Sequence, residues 1–327
     1  MSGSALSIRA FNALFPDEAA ARGWFERARW PRGPECPSCG SVNRARWINT
    51  RRKWACRECD GQFTVTAGTP MHRTRVPLLS WLQAIYLIVA SSKGISAVKL
   101  AEMLDVSYPT AWFMGHRIRV MMAEANPILS GVIEVDEMYA GAPPRKKAKP
   151  SRDHDDQTSK NPQGRGTKRP LVLVAAERGG DVVAKVIPTH GKAAIAEVLD
   201  GVVDPNAVVM TDGLPAYKHI GKVQPHLSVN HTGRENARTD AATGQRVHVN
   251  RVESFNGFMR RAVVGVWHQI SAKHLGRYAS EATFRWNRKK DDVLVRMAHM
   301  IRTGAGRRLS YAFLTAAPGY ARAEKAA

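Results

Sequence analysis

Acidic residues are scarce in this chain. Its 327 residues carry 28 Asp and Glu against 49 Lys and Arg, a formal charge of +21 and a pI near 10.3. So little negative charge favours a polyanionic partner, of which nucleic acid is the commonest. Long apolar runs are missing too. The longest, Leu82 to Ala90, is about half of what a membrane span needs, and no basic amphipathic helix stands out, so no membrane partner is expected. No cationic stretch followed by an apolar core opens the sequence, so a cytoplasmic protein is expected rather than a secreted one. The absence of a G-x-x-x-x-G-K-[ST] loop argues against nucleotide hydrolysis. Neither a Ser/His/Asp nor a Cys/His nucleophile system is visible, and there are no internal repeats. What is present, 44% hydrophobic and 24% charged residues, is the composition of a folded protein with room for two or three domains.

Only four cysteines occur, and all fall in one window: Cys36, Cys39, Cys56 and Cys59. The pattern C-x2-C-x16-C-x2-C places each pair at a tight turn, so that two thiolates converge and the two turns complete a tetrahedral set. Zinc suits four thiolates better than magnesium or calcium. A reducing compartment disfavours the alternative of two disulfides. With four protein ligands no position is left for a substrate, so the zinc is expected to be structural. The segment between the pairs reads as a β-hairpin whose basic tip, Arg51, Arg52 and Lys53, is suited to gripping phosphates.

Upstream, residues 17–30 read as a helix capped by Asp17. Downstream, Leu78, Trp81, Leu82, Ile85 and Val89 mark one helix face at 3.6-residue spacing. Ser96 is placed to cap a helix from Ala97 to Leu104, and Ser107 to cap another with Pro109 in its first turn. The pair resembles a helix-turn-helix unit. His116, Arg117 and Arg119 on its second helix suit a DNA groove. From Gly131 the pattern turns to strands: Val132 to Tyr139, Leu171 to Ala176, Asp181 to Pro188 and Ala207 to Thr211, with a helix from Gly191 to Val198 and another from Val252 onward. That order is a mixed-sheet α/β domain. Residues 142–170 hold five Pro, nine Lys or Arg and three Asp, and read as a flexible basic insertion. The expected domains are a helical segment 1–29, a zinc ribbon 30–70, a helix-turn-helix-like module 71–128, a mixed-sheet domain 129–302 and a tail 303–327.

In a chain this basic, three acids stand out by position. Asp136 lies in the first long strand, Asp212 ends a later one, and Glu253 lies at the start of a helix. In open α/β sheets, sites form at the carboxyl ends of strands. Glu134 shares a strand face with Asp136 and is a reserve ligand. Carboxylates brought within about 4 Å repel by several kcal/mol at an effective dielectric near 20, so such a cluster needs cations or raised pKa values. Oxygen ligands favour magnesium or manganese, and two such ions would clamp a phosphodiester. Each acid also has a plainer reading. Asp212-Gly213 is an ordinary turn pair, and Asn250 and Glu253 have the spacing of a capping box.

Longer stretches then make the chain recognisable. They include Arg29-Trp-Pro-Arg-Gly-Pro-Glu-Cys-Pro-Ser-Cys-Gly40, Val135-Asp-Glu-Met-Tyr-Ala-Gly141, Thr211-Asp-Gly-Leu-Pro-Ala-Tyr217 and His248-Val-Asn-Arg-Val-Glu-Ser-Phe-Asn-Gly-Phe-Met-Arg-Arg261. In this order, from about residue 10 to about 300, the chain resembles bacterial insertion-sequence transposases of the zinc-ribbon, ISXO-like group. The resemblance implies an RNase H-like fold whose DDE triad, here Asp136, Asp212 and Glu253, binds two divalent ions. The group varies at the third position, and Asn250 lies one helical turn before Glu253. A further departure is Ala142-Pro143 after Gly141, where the family more often has another glycine. A transposase would bind terminal inverted repeats and target DNA as a dimer or larger assembly, close to the nucleoid. Arg260, Arg261, Arg288, Lys289 and Lys290 are expected along the DNA path. A metal-dependent nuclease on the same fold and a non-catalytic DNA-binding regulator are the alternatives.

Overall fold

The computed structural model describes residues 6–125, 127–140, 169–230, 233 and 235–316. In chain order the helices are α1 (Ile8–Leu14), α2 (Glu18–Arg29), α3 (Leu78–Ala90), α4 (Ala97–Leu104), α5 (Tyr108–Met121), α6 (Lys192–Asp200), α7 (Asn250–Ala262), α8 (Ala272–Asn287), α9 (Val293–Thr303) and α10 (Tyr311–Thr315). The strands are β1 (Ala45–Ile48), β2 (Lys53–Cys56), β3 (Gln62–Phe63), β4 (Val132–Tyr139), β5 (Leu171–Glu177), β6 (Val182–Ile187), β7 (Val208–Asp212), β8 (His226–Val229), β9 (Arg238–Thr239) and β10 (Arg246–Val247). Of the basic insertion at 142–170, all but Arg169 and Pro170 lie outside the described residues. The chain divides into two compact units, one on each side of breaks near 126 and 286.

The first unit joins residues 6–125 to 287–316. Asp17 and Ser96 cap α2 and α4 through side-chain oxygens, as their positions imply. Ser107 stands at the N-cap of α5 without capping it; its hydroxyl pairs with that of Thr110 instead. Between α4 and α5, Asp105 takes a left-handed conformation (φ 51°) that turns the chain within three residues. Helix α9 packs on α2, α3 and α5, burying Met297, Met300 and Ile301. This moves the expected domain boundary from 302 back to 286, because α9 has an apolar face that α2, α3 and α5 cover. The described part of the expected tail, residues 303–316, is also folded. Leu314 is fully buried, Tyr311 meets the ring of Phe113, and the Leu309 carbonyl accepts from Arg117.

Helix α3 begins after Pro77, which cannot cap it. The Glu18 carboxylate on α2 does so from a distance in sequence, accepting from the Leu78 N–H at 2.7 Å and the Leu79 N–H at 2.9 Å. A carboxylate at a helix amino end meets both unsatisfied donors and the helix dipole.

The second unit is built on a five-stranded sheet in the order β6-β5-β4-β7-β8. Strands β4, β5 and β6 form an antiparallel meander, while β7 and β8 run parallel to β4. Gly179, at φ 82°, makes the turn between β5 and β6. The alternation of each strand supplies two cores. Ile133, Val135, Leu173 and Val209 face α6, with Ile195 and Leu199. Met138, Val172, Val174 and Met210 face α7 and α8, with Phe255, Met259 and Leu275. A central sheet of this order and polarity with helices on both faces is RNase H-like.

We expect Glu18→Ala to lower the stability of the first unit by about 1–2 kcal/mol, since two α3 amides lose their acceptor. Urea unfolding followed by tryptophan fluorescence measures it.

Candidate active site

Register brings two of the three acids together. On parallel neighbours, Val132 pairs with Val208 and Glu134 with Met210. Two residues further along each strand come Asp136, in the carboxyl half of β4, and Asp212, the last residue of β7. Both fall on the α7 face, because Met138 and Met210 do. Neighbouring strands lie ~4.8 Å apart, so two carboxylates set on them repel by about 3 kcal/mol at an effective dielectric near 20. The Asp136 carboxyl is accordingly pushed up to about 7, first by burial and then by Glu137 and Asp212. Asp212 also serves its turn, since its Oδ1 accepts from the Leu214 N–H at 3.1 Å.

A cation beside these crowded carboxylates would offset their repulsion, and carboxylate oxygens are the donors magnesium and manganese take. The residues therefore fit divalent ions. Glu253 does not close on this pair. It stands in the first turn of α7 on the exposed side. Among the described residues, the group of three or more Cys, His, Asp or Glu side chains with ligand atoms all within 4.8 Å of one another is the cysteine set.

The α7 residue that does reach Asp136 is Asn256, whose side-chain amide donates to Asp136 Oδ2 at 2.8 Å. Asn256 is 1% exposed, in a stripe with Val252, Phe255 and Met259. It is not among the residues the motifs single out. The available signal was a lone polar residue at 3.6-residue spacing within an apolar face.

Glu134, the reserve ligand, has a different task. It is fully buried. Its Oε2 accepts from the backbone N–H of Arg251 at 2.6 Å and of Val252 at 3.3 Å. Its Oε1 accepts from Arg178 Nε at 2.7 Å and lies 3.1 Å from His248 Nδ1. Since the N-cap residue Val249 makes no side-chain cap, Glu134 caps α7, and the capping box suggested by Asn250 and Glu253 does not form. Arg178 also donates to the carbonyls of Arg246 and His248, tying down the segment that leads into α7.

On the opposite face of β4, Glu137 accepts from the hydroxyl of the fully buried Tyr217. His190 Nδ1 lies 3.3 Å from Glu137, and His190 Nε2 pairs with the Tyr139 hydroxyl at 2.7 Å. Burial, with the charges of Glu137, Asp136 and Asp212, drives the Tyr217 hydroxyl well above its usual pKa.

In the first unit the four cysteines converge. Sγ atoms of Cys36 and Cys59 are 3.6 Å apart, as are those of Cys39 and Cys56. A tetrahedron with Zn–S bonds of ~2.3 Å has edges of ~3.8 Å. The spacing fits a zinc ion, and all four thiols are free of disulfides. The turns close as Gly40 N–H bonds to the Cys36 carbonyl and Cys56 N–H to the Gly61 carbonyl. Trp54, on the ribbon, donates its indole N–H to Glu26 of α2.

The basic residues separate by exposure. Arg51, Arg52, Lys53, Arg260, Arg261, Lys289 and Lys290 are exposed. Arg119 is 6% exposed and His116 wholly buried, so neither presents a groove-reading surface. Arg117 lies over the Phe113 ring and donates to the carbonyls of Leu309 and His72. Arg288 pairs with Glu124 at 2.8 Å and approaches Asp291 at 3.5 Å. These four residues work within their own unit: α5 is covered where its charges suggested a free face, and Arg288 is engaged by Glu124 and Asp291.

Comparison with known proteins agrees with this anatomy. Residues 128–287 match the ISXO2-like transposase domain, and residues 16–62 match the transposase zinc-ribbon domain. A protein of Halobacterium salinarum described as an uncharacterized protein in transposable element ISH50 is 30% identical over 259 residues, 76% of this chain and 83% of its own length. The chain belongs to the ISXO2-like transposase family. The catalytic-domain match of this transposase ends where the second unit ends, before α9. Among solved structures, the Mos1 transposase paired-end complex with left transposon end is 15% identical, with 59% of this chain and 73% of that one covered and a TM-score of 0.20. A pre-cleavage Mos1 transpososome is 10% identical, with 65% and 75% covered and a TM-score of 0.19.

Two outcomes are expected. Glu134→Gln costs about 2–3 kcal/mol of stability in the second unit, since Arg178 and the α7 amides lose a buried anion; calorimetry of the purified protein checks it. The purified transposase carries one zinc ion per chain, and Cys56→Ser loses it and unfolds the ribbon, as metal analysis and limited proteolysis would record.

Proposed function

We propose that this transposase binds the terminal inverted repeats of its own element, cuts the element ends and joins the freed 3′-hydroxyls to target DNA. The observation that carries the reading is the placement of Asp136, in the carboxyl half of β4, and Asp212, at the end of its parallel neighbour β7, on the face covered by α7 with Glu253 in its first turn. Divalent magnesium or manganese ions, held by Asp136 and Asp212 and joined by Glu253 once its exposed side chain turns toward them, would supply charge neutralisation and nucleophile activation at the phosphodiester. Two in-line displacements share the site, first by water and then by the 3′-hydroxyl, because only the nucleophile changes.

DNA would be held by exposed cations: Arg51, Arg52 and Lys53 at the ribbon tip, Arg260 and Arg261 on α7, and Lys289 and Lys290. Binding through phosphates weakens steeply with salt. Joining needs two element ends at once, so an assembly of at least two chains on DNA is part of the reading, in the cytoplasm at the nucleoid. No helix among the described residues is long and apolar enough to cross a membrane.

The test supplies magnesium, a labelled inverted-repeat end and a target plasmid to the full-length protein. Cleavage and joining are expected. Asp136→Asn, Asp212→Asn and Glu253→Gln should each reduce both to below about one-hundredth of the parent, with DNA retention on a native gel unchanged. Release of ends without joining, even from pre-cleaved ends, would mark a nuclease. Binding without cleavage would mark a DNA-binding regulator. Full activity in Glu253→Gln with loss in Asn250→Ala would move the third position to Asn250.

A further inference from the structure

The transposase reading assigns roles to acids, but the closest partner of Asp136 on α7 is an amide. We infer that Asn256 is a positioning residue for Asp136: it holds Oδ2 so that Oδ1 remains the oxygen offered to a divalent ion. The inference rests on the reading of Asp136 as a metal ligand.

Four observations support it. The Asn256 amide donates to Asp136 Oδ2 at 2.8 Å. Its side chain is 1% exposed, so water does not compete for the bond. Its own Oδ1 is buried with no hydrogen-bond partner, so Asp136 is the partner that accounts for a polar group in an apolar stripe; without that bond the amide would be wholly unsatisfied. Finally, α7 is fixed to the same strand through Glu134, which caps its amino end. Glu134 and Asp136 are two residues apart on one face of β4, and their partners Val252 and Asn256 are one helical turn apart on α7. Strand and helix thus meet at two matched points, and the second fixes a carboxylate rotamer.

A donor to Oδ2 favours the charged carboxylate and restricts its rotation. A carboxylate already oriented loses less freedom when an ion arrives, which is the sense in which a supporting hydrogen bond raises affinity at a metal site. Asn256 touches neither DNA nor the reacting phosphate in this scheme. Its effect passes through Asp136.

The test is manganese binding to the DNA-free full-length protein, read by electron paramagnetic resonance, beside magnesium dependence of end cleavage. Asn256→Leu keeps the side-chain size and removes the donor. It should raise the manganese dissociation constant about tenfold or more, the range of second-shell losses at metal sites. It should shift the magnesium midpoint for cleavage in parallel, with DNA retention intact. In an Asp136→Asn background, where the ligand is already lost, Asn256→Leu should change manganese binding no further. Unchanged manganese affinity and magnesium midpoint in a folded Asn256→Leu would overturn the assignment, as would equal losses with and without Asp136. Should Asn256→Leu not fold, the Asn256 side-chain amide signal of the parent is followed by NMR. It should move on magnesium addition in the parent and stay still in Asp136→Asn; a signal indifferent to magnesium in the parent refutes the role. If the parent itself neither binds manganese nor cuts DNA, the transposase chemistry fails before Asn256 is tested.

Discussion

One buried carboxylate organises the catalytic unit. Glu134 sits in the middle of the sheet with no exposure to water. It is tolerable there because Arg178, His248 and two backbone amides at the start of α7 surround it. The arrangement satisfies several otherwise costly groups together: a buried anion, a helix end without its own cap and a partly covered guanidinium. Its consequence is geometric. The helix that carries Glu253 and Asn256 is pinned to β4 two residues from Asp136, so the distance from helix to acid is set by a strand pitch and a helical turn rather than by a loop.

The same strand shows how burial separates the tasks of like residues. Glu134, Asp136 and Glu137 lie within four positions. Glu134 is neutralised by cations and amides. Glu137, on the other face, is held by Tyr217 beside His190. Asp136 has an amide for a partner and two carboxylates for neighbours, and burial together with those neighbours pushes its pKa up to about 7. Repulsion that other acids of this unit have discharged through structural partners remains at Asp136, where a cation has something to gain by binding.

Much of this could be read in the chain. The cysteine spacing reports directly on the ribbon, because two C-x2-C turns can do little else than converge. Asp17 and Ser96 cap their helices because N-caps are local. The strands around Asp136 and Asp212 follow from β-rich runs, and their likeness to a family's motifs named the fold. Other readings failed for a shared reason. His116, Arg119 and Arg288 look like surface cations in a helical pattern, but α9 returns from the far end of the chain to pack on α5, and Arg288 finds Glu124. The Asn250–Glu253 capping box is a valid local pattern that lost to Glu134, an acid from a distant strand. Asn256 is a different case: its place in the apolar stripe of α7 is legible from spacing, but its partner Asp136 lies 120 residues away and only the fold brings them together.

By itself, then, the sequence determined the zinc ribbon, the basic character and the order of helices and strands, because each depends on composition or on neighbours a few residues away. Tertiary structure alone decided which acid binds a helix and which faces its like, which cations remain on the surface, and to which unit the last helices belong. Those outcomes depend on what packs against a side chain from elsewhere in the chain, and burial, not residue type, sets the cost of leaving a charge without a partner.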